Sequence, residues 1–337
     1  MKRRIAIVCG GDSSEHDVSM RSGAGLYSFF DKEKYDIYLV ETRGMDWQVW
    51  TSNQQPTTHN PQPVSCKVPI NLADFSFLEN GERKTFDYAY ITIHGTPGEN
   101  GIMQGYFEMV GIPYSTSNVL VEALTFDKFA LNQYLKSFGV SVADSVLVRK
   151  GNEHLVSADE VEKQLGMPVF VKPSTDGSSF GVTKVKKKED LAAAIDIALA
   201  ESDEVMIEGF LEGTEITCGC YKTKEKTVVF PITEVVTENE FFDYDAKYNG
   251  QVQEITPARI PEDTAERVRK ITSMIYDILH CNGIIRIDYI ISPEGKVNML
   301  EINTTPGMTA TSFIPQQVKA AGLDIKDVLT DIVENQF

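Results

Sequence analysis

The sequence predicts an α/β chain in three parts, and three observations carry that expectation. Its first third alternates short apolar runs with a helical segment. Its middle runs strand, strand, helix, strand. Its last third closes on two apolar runs, 284–291 and 296–303, that can pair across the turn-forming "SPEG".

Residues 3–9 (RIAIVCG) form a first strand ending at Gly10-Gly11, and the polar "DSSEHDVS" opens a helix reaching about Phe30. "YDIYLVET" and "DYAYITIHG" give a second and third strand, an alternation that implies a parallel sheet. Between them "TSNQQPTTHNPQPVS" (51–65) is polar and Pro-rich, hence an exposed loop. "FSFLENGERKTF" places Asn80-Gly81 between two short runs, as a tight hairpin requires. "GIPYSTS" closes this part, with Ser115, Thr116 and Ser117 available to cap the next helix.

From Asn118 to Gly139 the apolar residues keep helical spacing and stop at a glycine. "SVADSVLV" and "PVFVKP" are strands, 188–202 a helix and "EVMIEGFL" another strand. The strands "EITCGCY" and "TVVFPITEV" follow, then the aromatic, acidic "ENEFFDYDAKYNG". Pro261 with Glu262 and Asp263 starts a helix, and "NGI" at 282–284 stops it. The domains are drawn at 1–117, 118–212 and 213–337.

Bulk properties narrow the function. At 337 residues the chain is too long for one small core. A net charge of −17 argues against nucleic acid, so any anion must be met by locally placed cations. No apolar run approaches the roughly 20 residues of a membrane span. The opening "MKRRIAIVCGG" imitates a signal peptide, but its apolar run ends too soon at a glycine pair, so cytoplasmic residence is expected. Five cysteines without framework spacing fit a reducing compartment. Cys218-Gly219-Cys220 could bind a soft metal; without a second Cys/His pair, it reads as alternate faces of a buried strand.

The chemistry gathers in five segments. Strand residues two apart share a face, so Arg286 with Asp288, and Glu301 with Asn303, can converge. Two carboxylates and an amide are hard oxygen ligands suited to Mg²⁺, and an arginine beside them suits an anionic reacting group. A solvated face with a salt bridge from Arg286 to Asp288 or Glu301 has the same spacing. In "FVKPSTDGSSFGVTKV" (170–185), Gly177, Ser178, Ser179 and Gly181 would let backbone N–H groups approach phosphate, with Lys172 adding charge. A plain Gly/Ser turn fits as well. "IEGFLEGTE" (207–215) offers backbone groups for an adenine edge and a carboxylate for a ribose, or only an interdomain linker. "GGDSSEHDVS" (10–19) sets a glycine turn before a helix N-terminus that favours an anion, with Glu15 in the first turn. "TIHGTPGENG" (92–101) leaves His94 at the end of the third strand, where open α/β sheets bind ligands.

In this order these segments, with "TFDK" (125–128), "DYDAKY" (243–248), "RIDYII" and "LEINTTPGMT", resemble the ATP-grasp ligases and, within them, the D-alanine–D-alanine ligase family. The resemblance runs from about residue 10 to 313. It implies a Rossmann-like N-terminal domain and two α+β domains that sandwich ATP. It implies ligation of two D-alanines through an acyl phosphate, for peptidoglycan precursors, by a cytoplasmic homodimer. Lys128, Lys172 and Lys247 would then contact phosphates under the Ser178-Ser179 loop. Glu208, Gly209, Phe210 and Leu211 would frame the adenine, with Glu215 on the ribose. Asp288, Glu301 and Asn303 would hold two Mg²⁺, or Mn²⁺ in their place. Glu15 would hold the first ammonium and form a hydrogen-bonded set with Ser178 and Tyr248. Arg286 and the Gly307 N–H would stabilise an oxyanion, and His94 would lie near the reacting carboxylates. Ser312 would receive the second carboxylate, beside Phe313. The stretch 236–250 would be a lid that excludes water.

Two positions depart from the family's commonest pattern. Phe180 and Phe313 stand where smaller aliphatic residues are usual, and Phe313 would tighten the second-substrate pocket. A relative that accepts D-lactate is the nearest rival, and Tyr248 argues against it. A dinucleotide-binding oxidoreductase lacks the Gly-x-Gly-x-x-Gly fingerprint and leaves 286–303 without a purpose.

Overall fold

The computed structural model describes residues 2–51, 67–175, 180–237 and 252–337. The 52–65 part of the Pro-rich loop, Cys66, Gly177, Ser178, Ser179, and the 238–250 part of the aromatic stretch with Lys247 and Tyr248 lie outside them.

The first sheet contains β1 (Arg3–Gly10), β2 (Tyr35–Arg43), β3 (Asp46–Trp50) and β4 (Lys67–Pro69), and after the hairpin β5 (Phe77–Glu79) and β6 (Glu82–Lys84) it takes in β7 (Tyr88–Ile91). Its order is β4-β3-β2-β1-β7, with β1 parallel to both neighbours as expected; β3 and β4 add an antiparallel edge that the sequence did not announce. β1 is apolar from Ile5 to Cys9 because both faces are covered. Ile5, Ile7 and Cys9 pack with Met20 and Leu26 of α1 (His16–Phe29), while Ala6 and Val8 meet Met103 and Phe107 of α2 (Ile102–Val110). The hairpin turn falls at Asn80-Gly81, both left-handed.

The single helix expected over 118–139 is two, α3 (Val119–Phe126) and α4 (Lys128–Lys136). Asp127 breaks it: its backbone is extended, and its carboxylate accepts from Ala130 N at 3.0 Å and from Ser174 Oγ at 2.6 Å. The cap of α3 is Asn118, which accepts from Val121 N, rather than Ser115–Ser117.

The second sheet, order β10-β9-β11-β8, is antiparallel: β8 (Ser145–Arg149), β9 (Val169–Pro173), β10 (Thr183–Val185) and β11 (Glu204–Gly209). α5 (Ala158–Leu165) and α6 (Leu191–Leu199) cover one face, where Val161 and Ala194 meet Val169, Val171 and Ile207. The alternate residues Phe170, Lys172 and Glu208 face a cleft.

The third sheet runs β15-β14-β12-β16-β17, with β13 on β12. Its strands are β12 (Thr214–Lys222), β13 (Thr227–Val229), β14 (Thr233–Thr237), β15 (Val252–Ile255), β16 (Ile285–Ile291) and β17 (Val297–Asn303). The run "TVVFPITEV" is thus two strands rather than one. Behind the sheet lies α7 (Glu262–Leu279), ended by left-handed His280 rather than at "NGI". Its Val268 and Ile275 share a core with Ile287, Tyr289 and both Cys218 and Cys220. The two thiols therefore lie on one face of β12, not on alternate faces, and burial raises both thiol pKa values. Val121, Leu131 and Leu135 of α3 and α4 join this same core. The last helices, α8 (Phe313–Ala320) and α9 (Ile325–Glu334), return to the first sheet, packing Ile314, Leu329 and Ile332 with Ile5 and Ile7. No described helix is long and apolar enough to cross a membrane.

Candidate active site

A cleft of about 880 Å³ opens between the second and third sheets and the α1 side of the first. Its floor is the β16–β17 pair. Arg286 lies opposite Asn303, and Asp288 opposite Glu301, so the four side chains converge as their spacing implies. Past Asp288 the register shifts, and Tyr289 pairs with Met299, leaving Leu300 as an extra residue. This bulge changes the parity of β17. Met299 and Val297 join the core behind the sheet, while Leu300, Glu301 and Asn303 all line the cleft.

The salt bridge left open by the sequence is present. Arg286 donates through Nε to Asp288 Oδ1 at 2.9 Å and through a terminal nitrogen to Oδ2 at 2.8 Å. Asn303 Nδ2 donates to the same Oδ2 at 3.3 Å. Asp288 thus sits just behind the cleft wall. Burial alone would lower the Arg286 pKa, but the carboxylates of Asp288, Glu301 and Glu99 together outweigh it and hold the guanidinium charged. The Phe313 ring lies 5.2 Å from the Arg286 Cζ, so this Phe also stacks the arginine in place. Among the described residues, no group of three or more His, Cys, Asp or Glu side chains is placed to hold a metal ion. Two carboxylates and an amide are what this face offers.

Across the cleft, Lys172 Nζ donates to Glu208 Oε2 at 2.7 Å, and Asn132 Nδ2 donates to Oε1 at 3.3 Å. Glu208, Gly209, Phe210, Leu211 and Glu215 follow along the wall as β11 hands over to β12. Phe170 and Phe210, with ring centres 6.0 Å apart, give the slot an aromatic side, and Lys184 lies 4.2 Å over Phe210. Lys128 begins α4, its N–H on Ser174 O at 2.8 Å, and lines the cleft. Phe180, 41% exposed, forms part of the rim.

The third wall comes from the first sheet. Gly10 and Gly11 turn the chain from β1 into α1 at φ of +96° and +91°; a Cβ on Gly11 would lie 2.4 Å from Ile93 Cγ2. Glu15, at the N-terminal end of α1, lines the cleft. His94 is buried, with Nε2 3.3 Å from Ser22 Oγ. Burial lowers its pKa, with Arg286 adding to the effect and Glu15 opposing it, so the ring is held neutral. The Gly307 turn follows β17, and a Cβ on Gly307 would lie 3.0 Å from Ser312 Oγ. That hydroxyl accepts from Thr309 N at 3.1 Å.

Sequence reasoning passed over two carboxylates here. Glu99 lines the cleft, accepting from Thr305 Oγ1 and from Gly95 N, each at 2.7 Å. Burial pushes its pKa up to about 7, against the pull of those hydrogen bonds. Glu122, with no exposed surface, accepts from Ser117 N at 2.9 Å and Thr304 Oγ1 at 2.5 Å. Burial raises its pKa well above the usual carboxylate range.

Comparison with known proteins identifies the family. Residues 4–117 match the family model for the D-ala D-ala ligase N-terminus, and 134–334 the model for its C-terminus. A D-alanine–D-alanine ligase of Phocaeicola vulgatus is 67% identical over 100% of both chains. One of Porphyromonas gingivalis is 48% identical over 98% of this chain and 97% of its own. Among solved structures, a D-Ala:D-Ser ligase from Enterococcus faecalis superposes with a TM-score of 0.89 at 31% identity, covering 100% of both chains. A D-alanine–D-alanine ligase from Bacillus anthracis complexed with ATP gives 0.76 at 29%, covering 99% of this chain and 97% of that one. With both halves matched and the whole length shared, the chain belongs to the D-alanine–D-alanine ligase family, a family of ATP-dependent ligases.

Proposed function

We propose that this chain joins two D-alanines into D-alanyl-D-alanine for peptidoglycan precursors, converting ATP to ADP and phosphate. The observation that carries it is the bulged β16–β17 face, which presents Arg286, Glu301 and Asn303 to the cleft with Asp288 behind them, opposite Lys172 and Glu208. The first carboxylate attacks the γ-phosphoryl group, forming an acyl phosphate and releasing ADP. The second amine attacks the acyl carbon, and phosphate leaves from the tetrahedral intermediate. Lys128, Lys172 and Lys247 neutralise charge on the transferring group, with Ser178 and Ser179 over the phosphates. Glu208, Gly209, Phe210, Leu211 and Glu215 bind adenine and ribose.

Glu15, with Ser178 and Tyr248, holds the first ammonium, and neutral His94 lies beside the reacting carboxylates. Arg286 and the Gly307 N–H stabilise the oxyanion. Ser312 takes the second carboxylate, and Phe313 both narrows that pocket and steadies Arg286. Asp288, Glu301 and Asn303, as hard oxygen donors, fit Mg²⁺ or Mn²⁺ and would hold two ions. When bound, these ions supply positive charge to the phosphoryl oxygens. We further infer three domains, at 1–117, 118–212 and 213–337, a lid over 236–250, a homodimer and cytoplasmic residence.

The test is ADP release from ATP and Mg²⁺ with D-alanine, with L-alanine, and with D-alanine plus D-lactate or D-serine, reading product masses in parallel. ADP, phosphate and a D-alanyl-D-alanine mass with D-alanine alone are expected. Preferential ester formation with D-lactate, or a D-serine product, would change the second substrate. No ADP with any of them would remove the proposal.

A further inference from the structure

We propose that Glu122 and Glu99 are positioning residues for the bond-forming step, one buried and one half-buried carboxyl group that take the hydroxyls of Thr304 and Thr305 and fix the turn carrying Gly307. This deepens the ligase reading above and rests on it. Thr304 and Thr305 are the first residues beyond Asn303, and both are buried. Their hydroxyls reach different elements. Thr304 Oγ1 donates to Glu122 of α3 at 2.5 Å, and Thr305 Oγ1 to Glu99 at 2.7 Å, in the segment between β7 and α2.

Each carboxylate is itself tied down by backbone. Ser117 N donates to Glu122 at 2.9 Å, and Gly95 N, next to His94, donates to Glu99 at 2.7 Å. The turn's far side is held too, with Met308 N on Ser22 Oγ at 3.4 Å. There the α1 backbone approaches so closely that a Cβ on Gly25 would lie 2.3 Å from Met308 O. The backbone between Asn303 and Thr309 is therefore referenced to three elements outside its own sheet.

Burying a carboxylate is costly where an amide or hydroxyl could accept the same bond. Its return is a side chain with two acceptor oxygens, one tied to a backbone N–H and the other to the threonine hydroxyl, so the turn is fixed against an already anchored group. Such rigidity matters where a backbone N–H must meet a developing oxyanion, since a displacement near 1 Å can cost on the order of 100-fold in rate. The same turn leads to Ser312, which receives the second substrate. Loosening it would leave the acyl phosphate formed but the second amine badly placed. Water then attacks the acyl carbon, returning D-alanine and phosphate while the ADP has already been released.

The experiment compares Thr304→Val, Thr305→Val and Thr304→Ser with the parent chain, measuring ADP and dipeptide together, the KM for ATP and thermal unfolding. The parent should give one ADP per dipeptide. In both valine variants dipeptide turnover should fall roughly 10–100-fold and ADP per dipeptide should rise above one, with the KM for ATP within about twofold. Thr304→Ser should restore both. If Thr304→Val does not fold, Glu122→Gln, which keeps the shape and one acceptor, reads the same ratio. A folded variant with unchanged turnover and a one-to-one ratio overturns the proposal, as does a loss of rate that keeps the ratio and is not rescued by serine. A parent chain that releases no ADP would instead defeat the ligase reading.

Discussion

Glu99 is half-buried in the cleft wall with both oxygens hydrogen-bonded, and its proton is retained up to about pH 7 against an ordinary value of 4.5. A raised folded-state pKa means that the folded state binds the proton more tightly. The associated stability is complete below about pH 4.5 and is lost as pH rises through about 7. Glu99→Gln stays neutral, and its amide can donate to Thr305, whose hydroxyl then turns to Ile93 O at 3.3 Å. Urea unfolding across that window should show the parent losing on the order of 3 kcal/mol and the variant much less. Equal slopes in the two proteins would assign the titration to another group. Arg286, Asp288, Glu301 and Asn303 were legible as a set because two-residue spacing puts strand neighbours on one face. Glu99 and Glu122 were not, since their burial depends on partners 206 and 182 residues away.

At the scale of elements, local chemistry explains what was read correctly and what was not. The Asn80-Gly81 hairpin and the Pro261 helix start are written in a few adjacent residues. The break between α3 and α4 is written in one, Asp127, but apolar periodicity runs straight through it and hides it. The bulge at Leu300 leaves no mark in composition at all. It separates the cleft face from the core face of β17, because Glu301 and Met299 would otherwise point the same way. Deleting Leu300 should restore the regular ladder and force one set of side chains onto the wrong face. Two outcomes fit: loss of ADP formation in a folded protein, or unfolding from burying Glu301 and Asn303. Near-parental activity would mean that the bulge does not set the parity.

Across the whole molecule, the three-part α/β organisation was readable from the order of strands and helices, whereas the sharing of cores between distant segments was not. Leu329, Ile332 and Val333 of α9 complete the core under β1, and Arg3 and Tyr35 bond Glu334 of the same helix at 2.8 and 2.7 Å. Leu329→Ala should destabilise by about 2–5 kcal/mol, seen as an earlier urea midpoint. In native-state hydrogen exchange, loss of β1–β2 amide protection should accompany loss of α9 if the two form one cooperative unit. An effect confined to α9 would separate them. The consequence reaches to biosynthesis. A nascent chain ordinarily folds from its N-terminus as it emerges, but here the first sheet waits for a helix whose Glu334 lies 331 residues beyond Arg3. Until that helix arrives, α1 covers only part of that apolar face of β1, and the part that Leu329, Ile332 and Val333 later cover stays exposed on the early chain.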